Sequence, residues 1–393
     1  MTRWPTKPLG DVCRVIGGGT PPKGNTDFFT GDIPWATVRD MGTEVISDTE
    51  CKITGAAVAS SSTNIIPAGN VVIATRVGLG KVCRLAQDTA INQDLRGVVP
   101  IDPAGLSVRF LFWWLKSVAD DIVSEGTGAT VQGVRLPFVR ALRIPLPPIP
   151  EQHRVVAILE EAFEGIAVAT ANAEKNLENA RAAFEDHLQS IFTQRGDGWA
   201  ERRLDEVALE FGRGRSRHRP RNDPKLYGGK WPFIQTGDIR GARHVITAHT
   251  QTYNDAGLSQ SRLWPSGTVC ITIAANIAES GVLAFDACFP DSVIGLVPDE
   301  RLTSGAFVEY MLQSFRMHLQ ALGKGSAQAN INLGTFASQR FPFPDLSQQR
   351  EIVATLDELR HGTERLESVY QRKLDAFEEL RQSFLHSAFG GHV

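Results

Sequence analysis

Five arginines occupy alternate positions across nine residues, Arg213, Arg215, Arg217, Arg219 and Arg221, with Gly214, Ser216, His218 and Pro220 between them. Glycine and proline at this density exclude a regular helix, so the segment reads as a loop. A guanidinium is a planar fork of donors that fits a phosphate or the acceptor edge of guanine. Further hydrogen-bonding residues lie beside glycine-rich turns or short strands: Lys23, Asn25, Thr37, Arg39, Arg76, Lys81, Asn92, Gln93 and Arg96 in the first half of the chain, and Gln235, Thr236, Asn276, Lys324, Gln328 and Asn330 in the second. Thr37 and Arg39 flank Asp40 as Gln235 and Thr236 flank Asp238, so these four either read base edges or satisfy local turns. The other reading of the arginine segment is a solvated basic loop. The first-half counterpart of that loop, residues 17–25, is far less basic, so two such loops facing one class of ligand would read different things.

Groups that could carry out a reaction are missing from the sequence. No Asn-Pro-Pro-Tyr or Asp-Pro-Pro-Tyr pocket and no G-x-x-x-x-G-K-[ST] loop occurs, and Gly126, Thr127, Gly128 lacks the later glycine of a dinucleotide turn. Glu50 and Lys52 lack the acidic partners of a nuclease cluster, and His244 and His249 are spaced for neither a helix face nor a zinc finger. Cys13, Cys51, Cys83, Cys270 and Cys288 are odd in number and without C-x-x-C spacing, so neither a disulfide framework nor a zinc site is expected. No catalytic residue and no metal is expected.

The elements that would position the candidates occur twice. Ile66-Pro67-Ala68-Gly69-Asn70-Val71-Val72-Ile73 recurs as Trp264-Pro265-Ser266-Gly267-Thr268-Val269-Cys270-Ile271, an offset of 198, and Gly97 to Pro100 matches Gly295 to Pro298 at the same offset. Pro148 with Gln152 matches Pro344 with Gln348 at an offset of 196. Short β-branched runs bounded by glycine, proline, asparagine or aspartate read as strands, with one helix over 107–123 and its counterpart over 304–322.

After Pro150, Leu159, Phe163, Ile166, Thr170, Ala173, Leu177, Ala180 and Phe184 step by four and three, the seam of a coiled coil. Ile352, Leu356, Leu359, Thr363, Leu366 and Tyr370 repeat the pattern, which resumes at Phe377, Leu380 and Phe384 with Lys373 as a polar interruption. A helix of this length, about 60 Å, is not stable alone, and the two are expected to pair antiparallel. The fold class is therefore α+β: two similar mixed α/β domains, at 1–149 and 197–345, separated by two long antiparallel coiled-coil helices, at 150–196 and 346–393.

The chain has 393 residues, 42% of them hydrophobic and 22% charged, with a formal charge of -3. That average hides a division: the helical segments 151–195 and 348–393 hold 16 acidic and 10 basic residues, whereas the remainder holds 28 and 31. The globular parts are thus mildly basic, a pointer to phosphate. No stretch approaches the length of a membrane helix and residues 1–5 have no apolar signal core, so a cytoplasmic protein without membrane contact is expected.

With the duplication, the two seams and the Pro-x-x-x-Gln-x-Arg helix start, the chain resembles the specificity subunit of type I restriction-modification systems. The supporting residues are Leu9 to Val12, Gly18-Gly19-Thr20-Pro21, Gly31-Asp32-Ile33-Pro34-Trp35, Asp40, Pro67-Ala68-Gly69, and Pro147-Pro148-Ile149-Pro150-Glu151-Gln152 with Arg154, several of them repeated in the second half. The second copy departs from this text, with Gly212-Arg213-Gly214 and Trp231-Pro232-Phe233 in place of Gly-Gly-Thr-Pro and Ile-Pro-Trp. The resemblance implies two target recognition domains, each reading half of a bipartite site in double-stranded DNA, and a helical pair that sets the gap and docks two modification subunits. It implies a non-catalytic chain without a cofactor of its own. S-adenosylmethionine belongs to the adenine-methylating modification subunits, and ATP and magnesium to restriction subunits that translocate and cleave. The alternatives are a stand-alone two-domain DNA-binding regulator and a structural coiled-coil adaptor.

Overall fold

The structure, a computed structural model, describes residues 4–126, 133–196, 198–218, 220, 222–274, 277–323 and 333–389. It divides into two compact units, residues 1–174 with 372–393, and residues 175–371. Each unit holds one globular part, the start of one long helix and the end of the other.

In the first unit a five-stranded sheet has the order Cys13–Gly17, Leu95–Pro100, Val71–Ala74, Val82–Leu85, Val45–Ile46, antiparallel except for its last pair. A four-stranded sheet has the order Cys51–Ile53, Ile33–Ala36, Thr89–Ile91, Asn64–Ile66 with its central pair parallel, and Thr6–Pro8 pairs with Arg143–Pro145. The second unit repeats this plan strand for strand. Its larger sheet is Ala208–Arg213, Val293–Pro298, Val269–Thr272, Ser280–Leu283, Val245–Ile246 and its smaller one Gln251–Tyr253, Tyr227–Phe233, Ala287–Cys288, Leu263–Trp264, with Ala200–Arg202 paired to Phe341–Phe343. Register repeats as well, Val98 opposite Val71 and Leu296 opposite Val269. The repeated glycine of the Gly97 and Gly295 strands explains how the sheets meet: a Cβ there would fall 2.3 Å from Ile66 Cδ1 in one unit and 2.7 Å from the Phe289 ring in the other.

The helix expected over 107–123 forms as Val108–Ser117 and, after a break at Val118, Ala119–Ser124; its counterpart Gly305–Gly323 is unbroken. The long helices are Ile149–Thr193 and Leu346–Phe389. Each starts at a buried glutamine. Gln152 Nε2 donates to Gly105 O at 3.0 Å and Pro147 O at 2.9 Å while its Oε1 accepts the Ser107 N–H at 2.9 Å. Gln349 Nε2 donates to Leu302 O and Pro344 O, both at 3.0 Å. The matching members are all 197 apart, so Gln349, and not the expected Gln348, is the counterpart of Gln152.

Seam residues build the core of each unit. In the first, Leu159 and Phe163 gather with Phe384, Leu385 and Ala388 around Phe110 and Trp113. Phe163 lies 4.9 Å from Trp113 and 5.2 Å from the Arg381 guanidinium. Within this unit the two helical segments therefore run in opposite directions. In the second unit Phe184, Leu188 and Phe192 gather with Ile352 and Leu356 around Phe307 and Tyr310. Ala173 is buried, and Ile166, Leu177, Leu359, Tyr370 and Phe377 are half-buried.

Three seam positions differ from expectation, and one of them is Leu380, which is 43% exposed while Arg381 beside it turns inward to Phe163. Leu366 is 47% exposed, because the neighbouring Glu367 turns inward to two guanidiniums. Lys373 is exposed and Leu374 half-buried, so Tyr370, Leu374, Phe377, Arg381 and Phe384 carry the steps of four and three through without interruption.

Charged pairs also join each sheet edge to a helix end. In the first unit Glu44 accepts from Arg381 at 2.9 Å. In the second, Glu367, 12% exposed, accepts from Arg181 Nε at 2.7 Å and pairs with Arg243. Burial alone would raise the Glu367 pKa, but the two guanidiniums together hold it below the ordinary carboxylate value. A lowered folded pKa gives stability that is complete above the unfolded value near pH 4.3 and is lost as pH falls through the folded value. The stability difference between wild type and Glu367→Gln, read from urea midpoints, is therefore expected to be constant near neutrality and to close on acidification below about pH 4. A pH-independent difference would assign the contribution to packing.

Candidate nucleic-acid interface

In both units one loop leaves the larger sheet across the backbone of the smaller. Gly19 N donates to Ile91 O at 3.0 Å, and at the equivalent place Arg215 N donates to Phe289 O at 2.9 Å. The preceding residue must be glycine: a Cβ on Gly18 would lie 2.0 Å from Asn92 O, and one on Gly214 2.3 Å from Phe289 O. Gly18→Ala or Gly214→Ala is expected to force the loop off the sheet and cost about 1–3 kcal/mol. Thermal melting of each variant measures this, and an unchanged melting point would show that the close approach is absent.

In the first unit Arg76, Asn92, Gln93 and Arg96 come together beside Thr20. Asn92 is buried, its Nδ2 donating to Asp94 Oδ2 at 3.1 Å and its Oδ1 accepting the Asp94 N–H at 3.1 Å. Gln93 is exposed and its side-chain oxygen accepts the Thr20 hydroxyl. Arg96 Nη1 donates to Gln93 O at 2.8 Å and Leu95 O at 2.7 Å. Its pKa is lowered, first by burial and then by the nearby Arg76 charge, with Asp94 opposing. Arg76 Nε lies 3.7 Å from Asp94 Oδ1 and its side chain is half exposed.

The remaining first-half candidates are spread around this cluster. The hairpin from Ala74 to Lys81 carries Arg76, with Lys81 exposed, and its tip reaches the next turn, where a Cβ on Gly78 would lie 2.6 Å from Val38 Cγ1. There Thr37 donates to Asp40 Oδ2 at 3.0 Å and accepts the Arg39 N–H at 3.2 Å, so its hydroxyl is engaged in the turn. Arg39 is 83% exposed, 3.6 Å from Glu50. Lys23 is exposed, and Asn25 Oδ1 accepts the Asp27 N–H at 3.2 Å.

In the second unit the arginine segment is extended. Arg213 ends its strand opposite Ile294, Gly214 N donates to Val293 O at 2.8 Å, and Ser261 Oγ donates to Arg215 O at 2.7 Å. Gly214 and Ser216 are buried while Arg213, Arg215 and Arg217 are exposed, so the three arginines share one solvent-facing side of the segment. Among the described residues none of the three has a carboxylate within 4.0 Å. Gln235 and Thr236 are half-buried; the Gln235 N–H donates to Asp238 Oδ2 at 2.8 Å, as the Thr37 N–H does to Asp40 Oδ2 at 2.7 Å. Arg219, Arg221, Asn276, Lys324, Gln328 and Asn330 lie outside the described residues.

Two features escaped the reading of the sequence. Asp94 is the hub of the first cluster, and its only signal is a place between Asn92, Gln93 and Arg96. His244 is buried against Glu309, which also accepts from Ser280 at 3.1 Å and Gln313 at 2.7 Å, and its ring stacks on Tyr310 at 4.2 Å. Among the described residues no group of histidine, cysteine and carboxylates is placed to hold a metal, and no helix is long and apolar enough to cross a membrane. Burial pushes the Cys13 thiol up to about 12 and Cys83 to about 11, the opposite of what activates a nucleophile.

The family model described as the type I restriction modification DNA specificity domain matches residues 1–179 and again 196–373. The chain is 31% identical over 194 residues to the type I restriction enzyme EcoR124I/EcoR124II specificity subunit of Escherichia coli, covering 48% of each. It is 27% identical over 256 residues to the MjaIX specificity subunit of Methanocaldococcus jannaschii, covering 59% of this chain and 57% of that one. The chain thus spans about half the length of the curated relatives it matches. Among solved structures it is similar to a chain from work on complex assembly and conformational transition of the type I R-M system, with TM-score 0.82, 20% identity, and 100% and 99% of the two chains covered. It is also similar to the HsdS subunit of Thermoanaerobacter tengcongensis, with TM-score 0.63, 19% identity, and 99% and 97% covered. At these identities the structural likeness establishes the fold.

Proposed function

Because this chain belongs to the family of type I restriction modification DNA specificity domains, we propose that it is the DNA-reading subunit of a type I restriction-modification complex. Each globular part reads one half of a bipartite duplex site. The observation that carries this is one scaffold built twice with different side chains at equivalent positions: Gly17 and Gly19 in the first unit where the exposed Arg213 and Arg215 stand in the second, and Arg76 in the first where the second has Ala274. Divergent side chains on a repeated scaffold are what two different half-sites require. Phosphate contacts by the arginines fix position, and base-edge contacts supply the sequence information.

In this reading the chain contributes no reacting group; it places the DNA for its partners. Two modification subunits dock on the long helices and methylate adenine with S-adenosylmethionine, and restriction subunits use ATP and magnesium, all in the cytoplasm. The helices set the gap between the half-sites. Purified complex with modification subunits, used to select duplexes from a random pool, is expected to enrich two short elements at one fixed spacing. Removing seven residues from one long helix should change that spacing or abolish selection. Salt-independent, sequence-independent retention would instead favour an adaptor.

A further inference from the structure

Asp94 makes contacts in the first unit that no single local turn would need. Its carboxylate receives Asn92 Nδ2 at 3.1 Å and lies 3.7 Å from Arg76 Nε, its carbonyl accepts the Thr75 N–H at 2.9 Å, and its side chain is only 17% exposed. A carboxylate on the Nε side of a guanidinium leaves the outer edge, with one N–H from each terminal nitrogen, facing away from it. Those are the donors that form a bidentate pair with the O6 and N7 edge of guanine. Arg96, held by the Gln93 and Leu95 carbonyls, feels both the Arg76 charge and the opposing Asp94 charge, so two guanidiniums stand near a single carboxylate. Such an excess attracts an electron-rich acceptor edge.

Resting on the DNA-reading role, the geometry points to Asp94 as a positioning residue that aims the Arg76 guanidinium, and to Arg76 as a reader of guanine in one half-site only. The second unit is a built-in control. Ile273 N donates to Ser292 O at 3.0 Å just as Thr75 N donates to Asp94 O, so Ser292 and Ala274 stand where Asp94 and Arg76 do, and Ile294, opposite Ile271, stands where Arg96 is opposite Ile73. None of the three can repeat the arrangement.

The test co-expresses the full chain with its modification subunits in a host without adenine methylation and maps methylated sites genome-wide for wild type, Asp94→Asn and Arg76→Lys. Asparagine keeps the shape but not the charge, and lysine keeps the charge but not the fork. Both variants are expected to raise methylation of sites differing from the wild-type motif at one guanine-containing position of one half-site, relative to the wild-type motif itself, by roughly 5- to 150-fold, the other half unchanged. Unaltered preference at every position in both variants overturns the inference, as does relaxation in both halves. If Asp94→Asn lowers the melting temperature, Arg76→Lys decides by the same readout, since its side chain is half exposed. A wild-type complex that methylates no split motif removes the DNA-reading role itself, a different failure from a split motif that neither variant relaxes.

Discussion

Gln152→Ala is expected to destabilise the first unit by about 3 kcal/mol, roughly twice the effect of Gln349→Ala on the second. The two glutamines hold equivalent positions, but Gln152 satisfies three backbone groups, Ser107 N–H, Gly105 O and Pro147 O, and is fully buried. Alanine leaves all three without a partner and without water, and each buried orphan costs about 1–3 kcal/mol. Gln349 satisfies two carbonyls, and among the described residues its own Oε1 has no hydrogen-bond partner. Its removal therefore strands fewer groups and relieves one. At about 2–4 °C per kcal/mol for a unit near 200 residues, the two variants separate clearly in thermal melts. Equal losses would mean that the amide oxygen contributes nothing at Gln152. The same hydrogen bonds fasten the start of each long helix to its own globular part, so the variants should also weaken DNA selection.

The second large effect is electrostatic. Replacing Arg215 and Arg217 with alanine is expected to weaken duplex binding and to make the dependence of log affinity on log salt shallower by nearly 2, about 0.9 for each phosphate that is no longer neutralised. Both guanidiniums are exposed on a backbone pinned by the Gly214, Arg215 and Ser261 hydrogen bonds, so the substitutions remove charge without releasing the loop. Titrations at several salt concentrations measure this. Unchanged affinity and slope would remove the loop from the interface; a fall in affinity at unchanged slope would assign the arginines to base edges instead.

Much of the fold was legible because it is written twice and with simple periods. The 198-residue offset linking Val71 with Val269 and Gly97 with Gly295 is the offset of the sheet registers, and the steps of four and three from Leu159 to Phe184 fall on buried or half-buried positions. What stayed hidden depends on groups distant in sequence. Gln348 and Gln349 are adjacent and alike, and only the carbonyls of Leu302 and Pro344 distinguish them. The arginine segment read as a loop because glycine and proline exclude a helix, yet hydrogen bonds to Val293 and Phe289 hold its start extended and give it a single charged face. A heptad count through Lys373 skipped Leu374, since one position's error in a stripe is visible only against the surface it covers. Asp94 carries no periodic or motif signal, because its role is fixed by Arg76, eighteen positions earlier in the chain.

The most direct test of the central claim is a genome-wide map of adenine methylation in a methylation-free host that expresses this chain with its modification subunits. Two short elements on either side of a fixed gap, one of them exchanged when residues 197–345 are replaced by the same span of a relative, would be the result expected of two separate readers. Methylation at one continuous motif, or none from a stable complex, would contradict it.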